Sequence, residues 1–137
     1  MDSGGAGKLV VDTNIILAIL INPNPSNLSF FEGKFLFAPA FIKLELINVF
    51  RKYHYLEGIS KNTLLEYFTS AVELIDILYP DDLLIEGATK LSFDLNHPIY
   101  DCLFLQLALD RQVPFVSLDR RLLEKAKLIG IETEQWI

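Results

Sequence analysis

Short β-branched runs alternate with longer segments of helical periodicity along this 137-residue chain, and that alternation restricts the fold more than any other feature. Lys8-Leu9-Val10-Val11 is a β-branched apolar run that stops at Asp12-Thr13-Asn14, where a helix-like apolar segment, Ile15 to Ile21, begins. Asn22-Pro23-Asn24-Pro25-Ser26 interrupts it, and a short helix over 27–32 and a strand over 34–37 are expected next. Pro39 suits a first helical residue. From Ala40 to Tyr55, the residues Phe41, Ile42, Leu46, Val49, Phe50 and Tyr53 recur at helical spacing, and Gly58 ends the helix.

Thr63 and Glu66 form a capping-box pattern opening a helix to about Val72, and Glu73 to Leu78 alternates as a strand does. Pro80-Asp81-Asp82 starts a helix to about Asp94, and Pro98 opens another to about Asp110. Val113 to Ser117 reads as a buried strand, Arg120 to Leu128 as a short helix closed by Gly130, and Ile131 to Glu134 as a last strand. Strands that alternate with helices pair in parallel through right-handed crossovers, so an α/β sandwich is expected. There is no internal repeat and no linker. Met1 to Gly7, small and without periodicity, reads as a flexible leader or expression remnant ahead of one domain spanning 8–137.

Composition narrows the class. With 51% hydrophobic and 22% charged residues, a disordered, collagenous or low-complexity chain is excluded. The longest proline-free apolar run, Ile15 to Ile21, is far short of the roughly 20 residues that span a bilayer, and no secretory pattern opens the chain. Cys102, the single cysteine, cannot close an intramolecular disulfide, and with two histidines it cannot build a structural zinc site. A cytoplasmic protein without membrane association is expected. The excess of 18 acidic over 12 basic residues, net −6, argues against a large basic face for phosphate.

The positions of four acids give that excess a meaning. Ligands of an open parallel sheet sit beyond the carboxyl ends of its strands. Asp12 directly follows the first strand, and Asp119 lies two residues beyond the strand ending at Ser117. Each equally suits a helix N-cap. Asp101 is flanked at i+3, i+4 and i+7 by Phe104, Leu105 and Ala108, so it shares an apolar stripe; its place in a first helical turn explains its position along the helix but not that face. Glu45 stands mid-helix beside Phe41, Ile42 and Val49 with no basic residue at i±3 or i±4, and Asn48 lies one turn on.

Four carboxylates without neighbouring cations are reconciled if they converge on a divalent metal. Oxygen-only ligands suit Mg²⁺ or Mn²⁺, which keep waters and complete their shell with substrate phosphate. Such a site activates water for phosphodiester hydrolysis without a protein nucleophile. If the four acids share one pocket, the remaining 14 against 12 bases leave a net of only −2.

Val11-Asp12-Thr13-Asn14, the helical Glu45, Tyr100-Asp101-Cys102 and Val116-Ser117-Leu118-Asp119, at intervals of 33, 56 and 18 residues between the acids, together resemble the PIN-domain ribonuclease pattern. The resemblance spans nearly the whole chain. The stretch Tyr-Asp-Cys-Leu-Phe-Leu-Gln-Leu-Ala and the compact length are most similar to VapC-type toxins of toxin–antitoxin pairs. It implies a three-layer sandwich around a mostly parallel, twisted sheet of about five short strands. It also implies metal-ligand or outer-sphere roles for Asp12, Glu45, Asp101 and Asp119, with supporting hydrogen bonds from Thr13, Asn14 and Ser117. An RNA substrate, a homodimer and inhibition by a small antitoxin are implied as well. Some relatives carry a further acid after the last Asp, where this chain has Arg120 and Arg121, so the second ion of a two-metal site lacks that ligand here.

Other chemistries find less support. Leu78-Tyr79 offers no acceptor Asp of the response-regulator kind, and Asn14 stands where a dehalogenase-like phosphatase has its second Asp. There is no P-loop, glycine dinucleotide fingerprint, Gly-x-Ser-x-Gly elbow or His-Glu-x-x-His motif. Cys102 is expected to be a buried, inert thiol. Arg120 or Arg121 suits contact with an RNA backbone, whereas Lys125 and Lys127 read as solvated surface. The competing class is a non-catalytic module that keeps the fold and acids but acts through partner contacts. A PIN nuclease of RNA processing is the other alternative.

Overall fold

A computed structural model describes residues 7–134 and residue 136. Of the expected leader, residues 1–6 lie outside the described residues. Gly7 adopts φ 76°, a conformation favouring glycine, and its carbonyl accepts the Phe35 amide at 2.6 Å.

Among the described residues five strands form one sheet: β1 (Lys8–Val11), β2 (Phe35–Pro39), β3 (Ile77–Tyr79), β4 (Phe115–Val116) and β5 (Thr133–Glu134). Their order is β3-β2-β1-β4-β5, and every neighbouring pair is parallel. β1 is central, with Val10 opposite both Phe37 and Phe115. Leu9, Val10 and Val11 are all buried, as expected of a parallel strand covered on both faces.

The helices are α1 (Thr13–Ile21), α2 (Pro25–Phe31), α3 (Ile42–Glu57), α4 (Lys61–Glu73), α5 (Ile85–Leu95), α6 (Ile99–Arg111) and α7 (Arg120–Leu128). α1, α3 and α4 pack on one another, and α5 packs on α6, which also crosses β1, β2 and β4. Right-handed crossovers from β1 outward through β2 to β3, then back to β4 and β5, place these groups on opposite faces. The expected α/β three-layer sandwich with a five-stranded parallel sheet is therefore present. The strand order reverses at β1, which opens a crevice at its carboxyl end.

Several boundaries differ from the sequence expectations. Pro39 is the last residue of β2, paired with Tyr79, and not the first of a helix; at a strand end its missing N–H breaks no interior ladder. α4 begins at Lys61 because the Ser60 hydroxyl caps it by accepting the Thr63 amide at 3.2 Å, so Thr63 and Glu66 lie in the helix body. The third strand covers 77–79 rather than 73–78. Its start is displaced because Asp76 turns its Oδ2 to the Leu36 amide, 2.8 Å away. The helix expected from Pro80 is a 3₁₀ turn, Asp81–Leu83, followed by α5, and β4 keeps only two of the five residues expected for it.

Candidate active site

Asp12 leaves the end of β1 and caps α1, its Oδ1 accepting the Ile15 amide at 3.2 Å. Its Oδ2 accepts a hydrogen bond from the buried Ser117 hydroxyl, and the same Oγ accepts the Asp119 amide at 3.0 Å. Asp119 caps α7, with Oδ1 accepting the amides of Arg121 and Leu122. Cap and site positions thus coincide: each aspartate starts a helix, and Ser117 ties the two strand ends together.

Glu45, expected mid-helix, sits instead in the first turn of α3, which starts at Ile42, and its Oε1 accepts the Thr13 hydroxyl at 2.6 Å. Asp101, in the first turn of α6, is bound through Oδ2 to Nε2 of His97 at 2.6 Å. Asp12, Glu45, Asp101 and Asp119 line one cavity of about 230 Å³, together with Thr13, Asn14, Asn48, Val49, Phe104 and Leu122. Four acids from separate elements, and two of the three supporting residues, therefore meet at the crevice. Ser117 is buried beneath it, holding two of the acids.

The electrostatics of the cavity are those of crowded negative charge. Asp12 is only 8% exposed, and burial pushes its carboxyl up to about 6; the Ser117 and Ile15 hydrogen bonds oppose the rise, and the charges of Asp101 and Glu45 add to it. Burial likewise raises Glu45, against the Thr13 hydrogen bond and with a contribution from Asp101. Cys102 fits the expected inert thiol: burial first, then the Asp101 charge, push it up to about 11.

The donor set fits a hard divalent cation. It is all oxygen, and among the described residues Glu45 Oε2, Asp101 Oδ1 and Asp119 Oδ2 carry no hydrogen bond. Among the described residues no three acidic, histidine or cysteine side chains close into a cage for a metal ion. An ion that takes one or two carboxylates and keeps its waters needs no such cage.

Two expectations are corrected here. The acids do not all lack a nearby nitrogen donor, because Asp101 has His97, and Lys125 Nζ lies 2.8 Å from the other ring nitrogen of His97. Lys125 is consequently half-buried and bonded instead of a solvated surface residue, while Lys127 is exposed. The i,i+4 spacing of His97 and Asp101 was the available signal. Asn48 accepts from Arg51 Nε at 3.3 Å, with no bond to Glu45. Arg120 and Arg121 are exposed beside the cavity without lining it.

A parallel sheet whose strand order reverses over an acidic crevice defines an α/β domain with a polar site at its switch point. The PIN-domain family model matches residues 9–128, and the chain belongs to that family. Among solved structures it is similar to PAE2754 from Pyrobaculum aerophilum, at 17% identity and a TM-score of 0.73, over 92% of this chain and 83% of that one. DNA-bound VapBC from Salmonella typhimurium matches at 17% identity and TM-score 0.72, over 95% and 98% of the two chains. VapBC-1 from nontypeable Haemophilus influenzae matches at 16% and 0.67, over 94% and 98%. A search of curated proteins finds no match. At these identities the likeness to solved structures speaks for the fold.

Proposed function

We propose that this protein is a divalent-metal-dependent endoribonuclease acting as the toxin of a toxin–antitoxin pair. The observation that carries the reading is the meeting of Asp12, Glu45, Asp101 and Asp119, drawn from four elements, around one cavity. Membership of the PIN family supports a nuclease, and the VapBC structures among its neighbours support the toxin assignment.

In this reading one or two of Asp12, Glu45, Asp101 and Asp119 would bind Mg²⁺ or Mn²⁺ directly and the others through its waters, with Ser117 fixing one oxygen of Asp12 and Thr13 one of Glu45. The chemistry supplied when such an ion is bound is Lewis acidity, which activates water and offsets charge on the phosphodiester. Ser117 holds Asp12 and Asp119 in register; Asn14, expected to give a supporting hydrogen bond, makes none to the acids and lies exposed on the cavity wall, open to the nucleic acid. Arg120 and Arg121 contact the RNA backbone beside the cavity.

The expected partners are a small antitoxin and a second copy of the chain, in the cytoplasm. A further cavity of about 290 Å³ between α3 and α4, lined by Ile47, Phe50, Leu64, Leu65 and Phe68, supports a protein partner. Exposed Tyr55 and Leu56 extend that apolar surface. Among the described residues no helix is long and apolar enough to cross a membrane.

The test is cleavage of RNA with Mg²⁺ or Mn²⁺ by the wild type and by Asp12→Asn and Asp101→Asn, each checked for folding by circular dichroism. Both substitutions are expected to abolish cleavage, and unchanged cleavage in both overturns the proposal. A calorimetric titration without saturable Mn²⁺ binding favours the non-catalytic binding module instead.

A further inference from the structure

Behind the carboxylates stands a chain of polar contacts with no assigned role: Lys125 on α7, His97 between α5 and α6, and Asp101 on α6. Lys125 Nζ is 2.8 Å from His97 Nδ1, and His97 Nε2 is 2.6 Å from Asp101 Oδ2. We propose that Lys125 and His97 are positioning residues, a relay that locks Asp101 in one orientation and so leaves its Oδ1 available to the metal. The proposal rests on the nuclease reading for the identity of the metal site.

The relay follows from donor inventory. An ammonium group has only donors, so the ring nitrogen facing Lys125 must be the unprotonated one. Nε2 then carries the ring proton and donates it to Asp101, whose carboxylate only accepts. The opposite tautomer would set two donors against each other at Lys125 and two acceptors against each other at Asp101. One neutral tautomer is therefore selected from both sides.

The residue is also partly buried and held through its backbone. Its side chain is 12% exposed, against 36% for Asp101. The His97 amide donates to the Ser92 carbonyl at 3.1 Å, the Ser92 hydroxyl donates to the His97 carbonyl at 2.6 Å, and the Cys102 thiol approaches that carbonyl at 3.8 Å. Asn96, at φ 50°, turns the chain to bring this about. The end of α5 thus fixes the His97 backbone, while Asp101 of α6 and Lys125 of α7 meet its ring.

Placing the ring between lysine and aspartate has a chemical advantage. A lysine bonded directly to Asp101 would compete with a divalent cation for the carboxylate. An imidazole N–H fixes one oxygen by a directional bond while leaving the anionic charge available, as outer-sphere donors and acceptors do for metal ligands generally.

His54 supplies an internal reference, since its Nδ1 lies 2.8 Å from the Ile59 carbonyl, an acceptor, and must carry the proton. A long-range ¹H–¹⁵N correlation spectrum of the labelled full chain should therefore show the two histidines as opposite tautomers, Nε2–H for His97 and Nδ1–H for His54. In Lys125→Met Asp101 alone should still favour Nε2–H, but less exclusively, so the single-tautomer pattern of His97 should weaken. Mn²⁺ titration calorimetry should show affinity reduced about 10-fold in Lys125→Met and in His97→Ala, partial recovery in His97→Gln, and no change in Lys127→Met.

An Nδ1–H pattern for His97 in the wild type overturns the relay. So does equal Mn²⁺ affinity of wild type, Lys125→Met and His97→Ala, an outcome that leaves the nuclease reading standing. A wild type that takes up no Mn²⁺ overturns the nuclease reading and, with it, the metal-orienting role. Lys125→Met removes only the tip charge of a half-buried side chain, so it serves if His97→Ala does not fold.

Discussion

The Thr13 hydroxyl donates to Oε1 of Glu45 at 2.6 Å, joining the first residue of α1 to the first turn of α3 across 32 positions of sequence. This bond lowers the proton affinity of a carboxylate that burial and Asp101 both raise. Thr13→Val keeps the shape and removes the donor. Mn²⁺ affinity and RNA cleavage are expected to fall about 10-fold, with Thr13→Ser restoring most of both. Unchanged binding in Thr13→Val would show that Glu45 needs no such support.

Ser117 is the buried counterpart. Its single hydroxyl serves Asp12 Oδ2 as donor and the Asp119 amide as acceptor. Ser117→Ala strands both groups in a region of low water access, so a loss of about 1–3 kcal/mol is expected in urea denaturation at neutral pH. Cleavage should fall more steeply than stability, because the same hydroxyl aligns two acids.

Acidity provides a third test. Asp12 takes up its proton at about pH 6 in the folded chain, against an ordinary value of 3.8. Between those values the folded state binds more protons than the unfolded one, so stability without metal falls as pH rises from about 4 to about 6. The full effect is about 3 kcal/mol at most. Unfolding in EDTA should show this slope, and Asp12→Asn should flatten it and be the more stable protein at pH 7. Mn²⁺ should reverse the order above pH 6, where Asp12 is ionised, and have little effect at pH 4.

The acidic pair after Pro80 separates into unequal members. Asp81 Oδ1 accepts the Phe41 amide at 3.0 Å, supplying from another loop the cap that α3 lacks from its own residue, while Asp82 is exposed. Asp81→Ala is expected to cost about 1 kcal/mol in thermal or urea unfolding, and Asp82→Ala less than about 0.5 kcal/mol. Equal effects would remove Asp81 from the account of how α3 is placed.

Much of the site was legible because its chemistry is written locally. Asp12 follows a β-branched run and precedes helical periodicity, which is sufficient to place it at a strand end. Both Asp12 and Asp119 prove to be caps, a role that does not compete with ligation, since a backbone amide occupies one lone pair and leaves others. Glu45 stood out through the absence of basic neighbours one turn away. His97 and Lys125 were less legible, because their meeting depends on how α7 packs against the turn between α5 and α6, 28 residues distant in sequence. The strand ends were obscured for a related reason. Pro39 and the start of β3 are set by pairing of β2 with β3 and by the Asp76 side chain on the Leu36 amide, and neither leaves a periodic trace.

The reversal of strand order at β1 has a temporal consequence. Asp12 and Glu45 belong to the portion of the chain that runs outward to β3, whereas Asp101 and Asp119 belong to the returning portion, after residue 98. Neither portion contains more than half of the acidic set, and the Asp119 carboxylate gains its amide donors only when α7 has wound. During synthesis the four acids therefore cannot come together until α7, the last of the described helices, has emerged.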